Sequence, residues 1–277
     1  MISIHNNSGA MVALQTLGGS NDQLNTVQNS ISTGKEFNTA QNNAALWAIS
    51  ELMNSDIAGL RSVSDSLSLG EATVAVASAG AEQITETLTE MRSLAVMASS
   101  GMGDFSKFEA AMAQKTDQIN SIISTSGFNG VNLLKTDVDG NGGTSLTVAS
   151  SLSGTGSLSA LSVDGVDFEG NALFDIGNRT AITDSASALT ALGEIEGFLS
   201  YAIESSAALG SSAESLAGQN SFVGKLSDSI TQGASSMIDT SMDEAATRWR
   251  ALQAQQQLST LSLSIVSTMP DTLRNLY

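Results

Sequence analysis

The residues most suited to binding chemistry lie in one short acidic run of the sequence. Asp137, Asp139 and Asn141 alternate with other residues and are followed by Gly142, which matches the opening of a calcium-binding loop. Such a loop supplies closely spaced oxygen ligands, and its glycine permits the sharp bend between them. The twelfth loop position, where a bidentate Glu normally completes the site, is Val148. The sequence therefore predicts a weak metal site formed by Asp137, Asp139 and Asn141.

Residue types that carry catalysis are scarce in the whole chain. The sequence has no Cys and a single His, His5. The lack of Cys removes thiol nucleophiles, disulfides and zinc–thiolate sites together. One His near the start of the chain cannot supply a catalytic triad or a His-ligated metal centre. We therefore expect no enzyme activity and no cofactor.

The charge of the chain limits its partners. It has 28 acidic and 11 basic residues and a net charge of −17. Nucleic-acid binders need a basic face, so we expect no nucleic-acid partner. No stretch approaches the roughly 18 uninterrupted apolar residues of a membrane span, so no membrane insertion is expected. The first residues lack the basic and continuous apolar segments of a cleaved secretory signal peptide.

One long hydrophobic seam predicts the main helix of the chain. Apolar residues recur at alternating steps of three and four, which is the 3.5-residue repeat of left-handed coiled coils. The spacing predicts a helix of about 80 Å at 1.5 Å per residue. Two shorter helices broken near Gly70 are the alternative. The seam reads Leu46, Ile49, Met53, Asp56, Leu60, Val63, Leu67, Gly70, Val74, Ala77, Ala81, Ile84, Leu88, Met91, Ala95 and Ala98.

Two further stripes predict partners for this helix. One runs from Phe105 to Ile122 after a Ser- and Gly-rich turn, with Asp104 as its N-cap. The other runs from Leu189 to Met237. Because such stripes can bury one another only side by side, we predict a mainly α fold. It would be an elongated antiparallel helical bundle or coiled coil, with rod segments at residues 45–135 and 183–239.

Residues 136–182 differ in composition and are rich in Gly, Ser, Asp and Thr. The alternating run from Ser145 to Val148 predicts a strand. The Asp164-Gly165 pair predicts a turn between two alternating runs at residues 161–168. We therefore expect a small β-rich surface insertion at residues 136–182.

Both ends of the chain carry weaker stripes. Leu17 and Leu24 belong to the first, and Trp249 and Leu252 begin the second; Gln, Ser and Thr interrupt both. Isolated helices with weak seams are marginal in water, because packing supplies most of their stability. We therefore predict two terminal helical arms, residues 1–44 and 240–277, that complete their fold against other copies of the chain.

Several separate blocks of the sequence carry a resemblance to known proteins. The N-terminal blocks are residues 31–35, 38–50, 91–95 and 128–134, and the C-terminal blocks are residues 219–222, the Gln-rich run 253–257 and Pro270. In this order, the blocks resemble the bacterial flagellins, most closely those of α-proteobacteria such as Caulobacter and Sphingomonas.

The resemblance implies a structural subunit that polymerises into the flagellar filament used for swimming. It further implies that the terminal arms form the inner tube of the filament and that the middle of the chain faces solvent. The implied partners are other copies of the chain, hook-associated and cap proteins, and an export chaperone. The implied location is the extracellular filament, reached through the flagellar type III export apparatus.

Two alternatives remain from the sequence. One is a hook–filament junction protein, which shares flagellin-like ends. The other is a flagellin-like cell-surface protein that binds polysaccharide. A polysaccharide site would need an aromatic cluster in the insertion, where the sequence offers Phe168 and Phe174.

Overall fold

A computed structural model describes residues 7–152 and 157–274, so His5 lies outside the described residues. The fold is mainly α, as the seams predict, with one small antiparallel sheet. In order along the described chain, the elements are α1 (Ser8–Thr33), α2 (Ala44–Ser99), α3 (Phe105–Thr125), β1 (Ser145–Leu152), β2 (Leu158–Asp164), a short 3-10 helix (Ile176–Asn178), α4 (Ser185–Ile238) and α5 (Met242–Arg274).

The chain divides into two compact units. The middle unit is Asp56–Asp228, and the terminal unit combines Met1–Ser55 with Ser229–Tyr277. The middle unit holds α3, the sheet and most of α2 and α4, whereas the terminal unit holds α1 and α5. The terminal unit therefore joins two segments that are far apart in sequence, whereas the middle unit is one continuous stretch.

Helices α2 and α4 of the middle unit run antiparallel. Near the end of α2, the Ser185 hydroxyl donates a hydrogen bond to the Ser99 carbonyl at 2.6 Å. Further back along α2, the Ser64 hydroxyl donates to the Asn220 side-chain oxygen at 2.7 Å. As the residue number falls on α2, it rises on α4, so the two helices point in opposite directions.

The predicted seam forms the core of the middle unit. Every seam position from Leu60 to Ala98 is buried. Helix α2 is continuous through Gly70, so the alternative of two helices broken at that residue is wrong. A Cβ atom at Gly70 would lie 2.8 Å from Cγ2 of Val148 on β1, so the glycine lets the strand approach the helix closely. Leu189, expected on the α4 stripe, is 59% exposed instead.

The insertion contains one hairpin. The strand predicted at Ser145 forms and extends to Leu152, and it pairs antiparallel with β2. The turn predicted at Asp164-Gly165 is wrong, because β2 ends at Asp164 and the next amide, of Gly165, donates to the Thr144 carbonyl at 2.9 Å. No strand follows it in the described part of the insertion.

An aromatic cluster fixes the insertion to α4. The rings of Phe168 and Phe174 meet edge to face with centroids 4.7 Å apart. Tyr201 of α4 packs edge to face on Phe168 at 5.4 Å, and its hydroxyl donates to the Asp167 carbonyl at 2.9 Å. Aromatic pairs of this geometry contribute beyond the area that they bury. The aromatic side chains of the insertion are therefore core residues.

A second contact holds the segment that leads from the insertion into α4. The guanidinium of Arg179 donates two hydrogen bonds to the Glu109 carboxylate of α3, at 2.8 and 3.0 Å. The Ile182 amide donates to the same carboxylate at 2.8 Å. Burial alone would raise the pKa of Glu109, but the bonds from Arg179 and Ile182 outweigh it and hold that pKa below its usual value.

Candidate functional site: the terminal helix pair

Helices α1 and α5 pair antiparallel in the terminal unit. The Asn7 side-chain amide donates to the Val266 carbonyl at 3.0 Å, and the Gln256 amide donates to the Asn21 side-chain oxygen at 2.7 Å. Asn7 also caps α1, since its side-chain oxygen accepts from the third amide of the helix at 3.1 Å. At its other end α1 stops at Gly34, whose φ of 72° is the left-handed conformation that glycine adopts readily.

The apolar core between these two helices is small. It consists of Val27, Ala245 and Leu252, which retain between 5% and 8% of their exposure. Leu24 and Trp249 pack against it and are only partly buried. The predicted stripes therefore do meet, but over a short length of each helix.

Most of the large apolar residues on the remaining parts of the pair are exposed. Met11 and Leu258 are each 64% exposed. A helix face of this kind, left without a partner in the isolated chain, marks a candidate interaction surface. The exposed residues are Met11, Val12 and Leu14 on α1 and Leu258, Leu261 and Ile265 on α5.

The same parts of the pair carry no charge. Residues 8–21 and 251–270 contain no Asp, Glu, Lys or Arg, although the chain as a whole has a net charge of −17. Polar contacts inside the pair are made by neutral side chains, chiefly Asn21 and Gln256. The structure thus pairs one neutral polar residue of α1 with one of α5. The assembled features are those of an uncharged, partly apolar contact face.

Charged groups of the terminal unit gather beside the start of α5. A cleft of about 540 Å³ is lined by Glu36, Asp239, Glu244 and Arg248, among others. The Arg248 guanidinium pairs with the Glu244 carboxylate at 2.9 Å. Carboxylates and one paired guanidinium can make ionic contacts, but neither a Cys nor a His lines the cleft to act as nucleophile or base.

The candidate metal loop is closed by its own backbone. The Asp137 carboxylate accepts a hydrogen bond from the Gly142 amide at 2.9 Å. The Asp139 carboxylate accepts from the amides of Asn141 and Gly143 at 2.9 and 3.0 Å, and these bonds lower its pKa. Asp139 and Asn141 therefore lie together, but they are engaged in turn contacts. Calcium binding at this loop stays a prediction.

Across residues 7–152 and 157–274, no group of three or more His, Cys, Asp or Glu side chains is placed to hold a metal ion. Of the helices in this part of the chain, none is both long and apolar enough to cross a membrane.

Comparison with known proteins identifies the family. Residues 4–138 match the family model of the bacterial flagellin N-terminal helical region, and residues 192–277 match that of the C-terminal helical region. Flagellin FljK of Caulobacter vibrioides is 32% identical over 99% of this chain and 98% of its own length. A flagellin of Brucella melitensis is 32% identical over 100% of this chain and 99% of its own length.

A crystal structure of Bacillus cereus flagellin is also similar, with a TM-score of 0.49 and 22% identity over 58% of this chain and 88% of that chain. The two family matches and the full-length similarity to curated flagellins agree with the sequence blocks described above. The chain therefore belongs to the bacterial flagellin family and is a structural subunit of the flagellar filament used for motility.

Proposed function

We propose that the terminal helix pair is the surface through which copies of this chain assemble. The observation that carries the proposal is the uncharged, exposed apolar face of α1 and α5. Burying such a face against the same face of other copies would remove apolar area from water, which is favourable by about 25 cal/mol per Å². The small core of the isolated pair leaves most of this gain for the polymer.

The charge distribution supports the same proposal. Two copies with a net charge of −17 repel each other, and salt screens this repulsion over about 8–10 Å. Contact is therefore least costly where each copy is locally neutral. Residues 8–21 and 251–270 meet that condition. Assembly should consequently become faster as the salt concentration rises.

The finer organisation follows from this assignment. Residues 1–44 and 240–277 act as the arms that form the inner tube of the filament. Residues 45–135 and 183–239 form the rod around that tube, and residues 136–182 form the insertion that faces solvent. The burial of the α2 seam and the surface position of the hairpin support this division.

The remaining roles belong to the same proposal. The chain leaves the cell through the flagellar type III apparatus with an export chaperone, and in the filament it contacts hook-associated and cap proteins. It catalyses no reaction.

The polysaccharide-binding alternative is disfavoured, because Phe168 and Phe174 are each 2% exposed and cannot stack on a sugar. No described feature favours the hook–filament junction protein.

Limited proteolysis of the monomer tests the proposal. The small core of the terminal pair cannot offset an ordering cost of roughly 1–2 kcal/mol per residue. We therefore expect protease to remove both arms and leave a helical fragment of about residues 45–240. After purification, this fragment should fail to elongate filament seeds that the intact chain elongates.

The control is the intact chain carried through the same digestion with inactivated protease. A trimmed fragment that still elongates seeds would show that the arms are dispensable, and the proposal would fail. Monomer ends that resist protease would show a self-contained fold, and would favour a binding protein over a filament arm.

A further inference from the structure

Met11 is the chemically reactive residue among the exposed apolar side chains of the terminal helix pair. It is 64% exposed on α1, within the uncharged run of residues 8–21. The chain has ten Met and no Cys, so thioethers are its only sulfur groups. The other exposed apolar residues of this contact face are Val, Leu or Ile, which a peroxide leaves unchanged. They are Val12, Leu14, Leu258, Leu261 and Ile265.

Other methionines of the described chain lie in different surroundings. Met91 and Met112 are fully buried in the middle unit, where packing keeps an oxidant away from the sulfur. Met102 is 78% exposed in the turn between α2 and α3, outside the contact face. Met11 alone among these three combines access in the free chain with a place on a face that assembly would bury. Met102 is therefore its natural comparison within the same molecule.

Oxidation changes the character of a methionine side chain. A peroxide transfers one oxygen atom to the thioether: its O–O bond breaks, an S–O bond forms, the sulfur loses two electrons and the peroxide is reduced to water. The product, methionine sulfoxide, is polar, and its oxygen accepts hydrogen bonds. In the free chain water can satisfy the sulfoxide oxygen at position 11, because this side chain is exposed. The modification should therefore cost the monomer little.

In the polymer the same oxygen would be buried against apolar groups. Val, Leu and Ile side chains have neither an N–H nor an O–H to donate, and residues 8–21 and 251–270 contain no Lys or Arg. The Met11 amide is already used inside α1, where it donates to the Asn7 carbonyl at 3.2 Å. A buried acceptor without a donor is unfavourable. We infer that Met11 is a modification site, at which oxidation by peroxide to the sulfoxide prevents a free copy from joining the polymer.

This inference rests on the proposed function, since only burial of the contact face makes the sulfoxide unfavourable. It implies a difference between free and assembled copies. Peroxide reaches Met11 in a free copy, whereas neighbouring copies cover it after assembly. Oxidised copies would then stay in solution, and the polymer would retain Met11 in its reduced form.

Site-resolved oxidation tests whether assembly covers Met11. The intact chain, as monomer and as seeded filaments, would be treated with hydrogen peroxide, and tandem mass spectrometry would follow the sulfoxide at Met11 and at Met102 separately. We expect Met11 to oxidise about 10-fold more slowly in filaments than in monomers, because oxidation follows exposure. Met102 should react at similar rates in both. Equal rates for Met11 in both states would contradict the proposed function at this residue.

Substitutions test whether polarity at this position blocks assembly. Met11→Gln introduces a neutral polar side chain of similar length, and Met11→Leu keeps the position apolar without sulfur. We expect Met11→Gln to raise the critical concentration for seeded elongation about 10-fold and Met11→Leu to leave it unchanged. The matched control is Met102→Gln, which should elongate like the parent. Because Met11 is exposed, all three variants should keep the melting temperature of the parent monomer.

Oxidised protein gives the direct test. Monomers treated with peroxide should elongate seeds as poorly as Met11→Gln, and treated Met11→Leu should elongate normally. Reduction by methionine sulfoxide reductases should return the treated parent to normal elongation. If treated Met11→Leu loses elongation as the treated parent does, the damage lies at another residue and the inference is wrong.

The two proposals fail in different ways. If filaments protect Met11, yet Met11→Gln and the oxidised parent both elongate normally, the contact face stands and the oxidation inference is wrong. If Met11→Gln does not fold, the comparison of the treated parent with treated Met11→Leu decides the question by itself.

Discussion

The middle and terminal units carry similar apolar helical stripes, but they bury these stripes to different extents. In the middle unit the seam from Leu60 to Ala98 is buried within one chain. In the terminal unit, among the described residues, the apolar core between α1 and α5 consists of Val27, Ala245 and Leu252. A heptad pattern thus shows which face of a helix needs a partner. Whether the partner lies in the same chain depends on how much apolar area the chain itself can place there.

The largest effect should come from a charge in the middle seam. Leu88 is fully buried, so Leu88→Asp would place an unpaired carboxylate in the core and cost several kcal/mol of unfolding free energy, about 3–5. Thermal and chemical unfolding of the monomer would measure it. The matched control is Leu69→Asp on the same helix, where the side chain is already 52% exposed and little change is expected. Equal stability of the two variants would show that the seam is not buried.

On the terminal helix pair we expect the opposite result: an added charge should leave the monomer stable and weaken assembly. Leu261 is exposed in the monomer, so Leu261→Asp should change monomer stability by less than about 0.5 kcal/mol. In the polymer it would bury a charge, and we expect the critical concentration for seeded elongation to rise about 100-fold, or about 2.7 kcal/mol. Leu173→Asp, at an exposed position of the insertion, serves as control and should elongate normally. Normal elongation of the α5 variant would remove Leu261 from the contact face.

A smaller effect should come from the contact of Glu109 with Arg179. Because the folded-state pKa of Glu109 is lowered, its contribution is present above the unfolded value near 4.5 and is lost as pH falls through the folded pKa. Glu109→Gln should therefore cost about 1 kcal/mol at pH 7, and the difference from the parent should shrink in acid. Urea unfolding at pH 7 and pH 3 would show this. Glu90→Gln, where the carboxylate paired with Lys115 is 53% exposed, should have little effect at either pH.

The smallest effect concerns the loop at Asp137. If calcium binds, a concentration equal to the dissociation constant would stabilise the monomer by about 0.4 kcal/mol. We expect a small, concentration-dependent rise in the melting temperature, and we expect Asp139→Asn to abolish it. The absence of any shift at millimolar calcium would remove this site, and the insertion would then be held by protein contacts alone.

The sequence predicted the features that depend on local periodicity. The seam of α2, the N-cap Asp104 and the strand beginning at Ser145 could be placed because each follows from spacing or residue type. The continuity of α2 through Gly70 also followed from the unbroken seam, although a glycine inside a helix is unfavourable. The close approach of Val148 to Gly70 could not be predicted, since Val148 lies on a distant strand.

Contacts between segments that are far apart in sequence could not be predicted. Arg179 and Glu109 are separated by 70 positions, and no pattern in the sequence links them. The hydrogen bonds of Asn220 could not be predicted either, because its partners on α2 are more than 140 positions away. Periodicity identifies the face on which such a residue lies, but the pairing is decided by which helices meet and at what height.

The separation in sequence between paired residues also determines the order in which their contacts can form. The Ser64–Asn220 contact joins residues 156 positions apart, and the Asn7–Val266 contact joins residues 259 apart. Helices α2 and α3 are neighbours in sequence and can pair early, since closing a short loop is fast. During synthesis the N-terminal part of the chain emerges first, so one side of the α2 seam must stay uncovered until α4 has been made. The terminal pair forms last, so a chain interrupted anywhere before α5 leaves α1 without its partner.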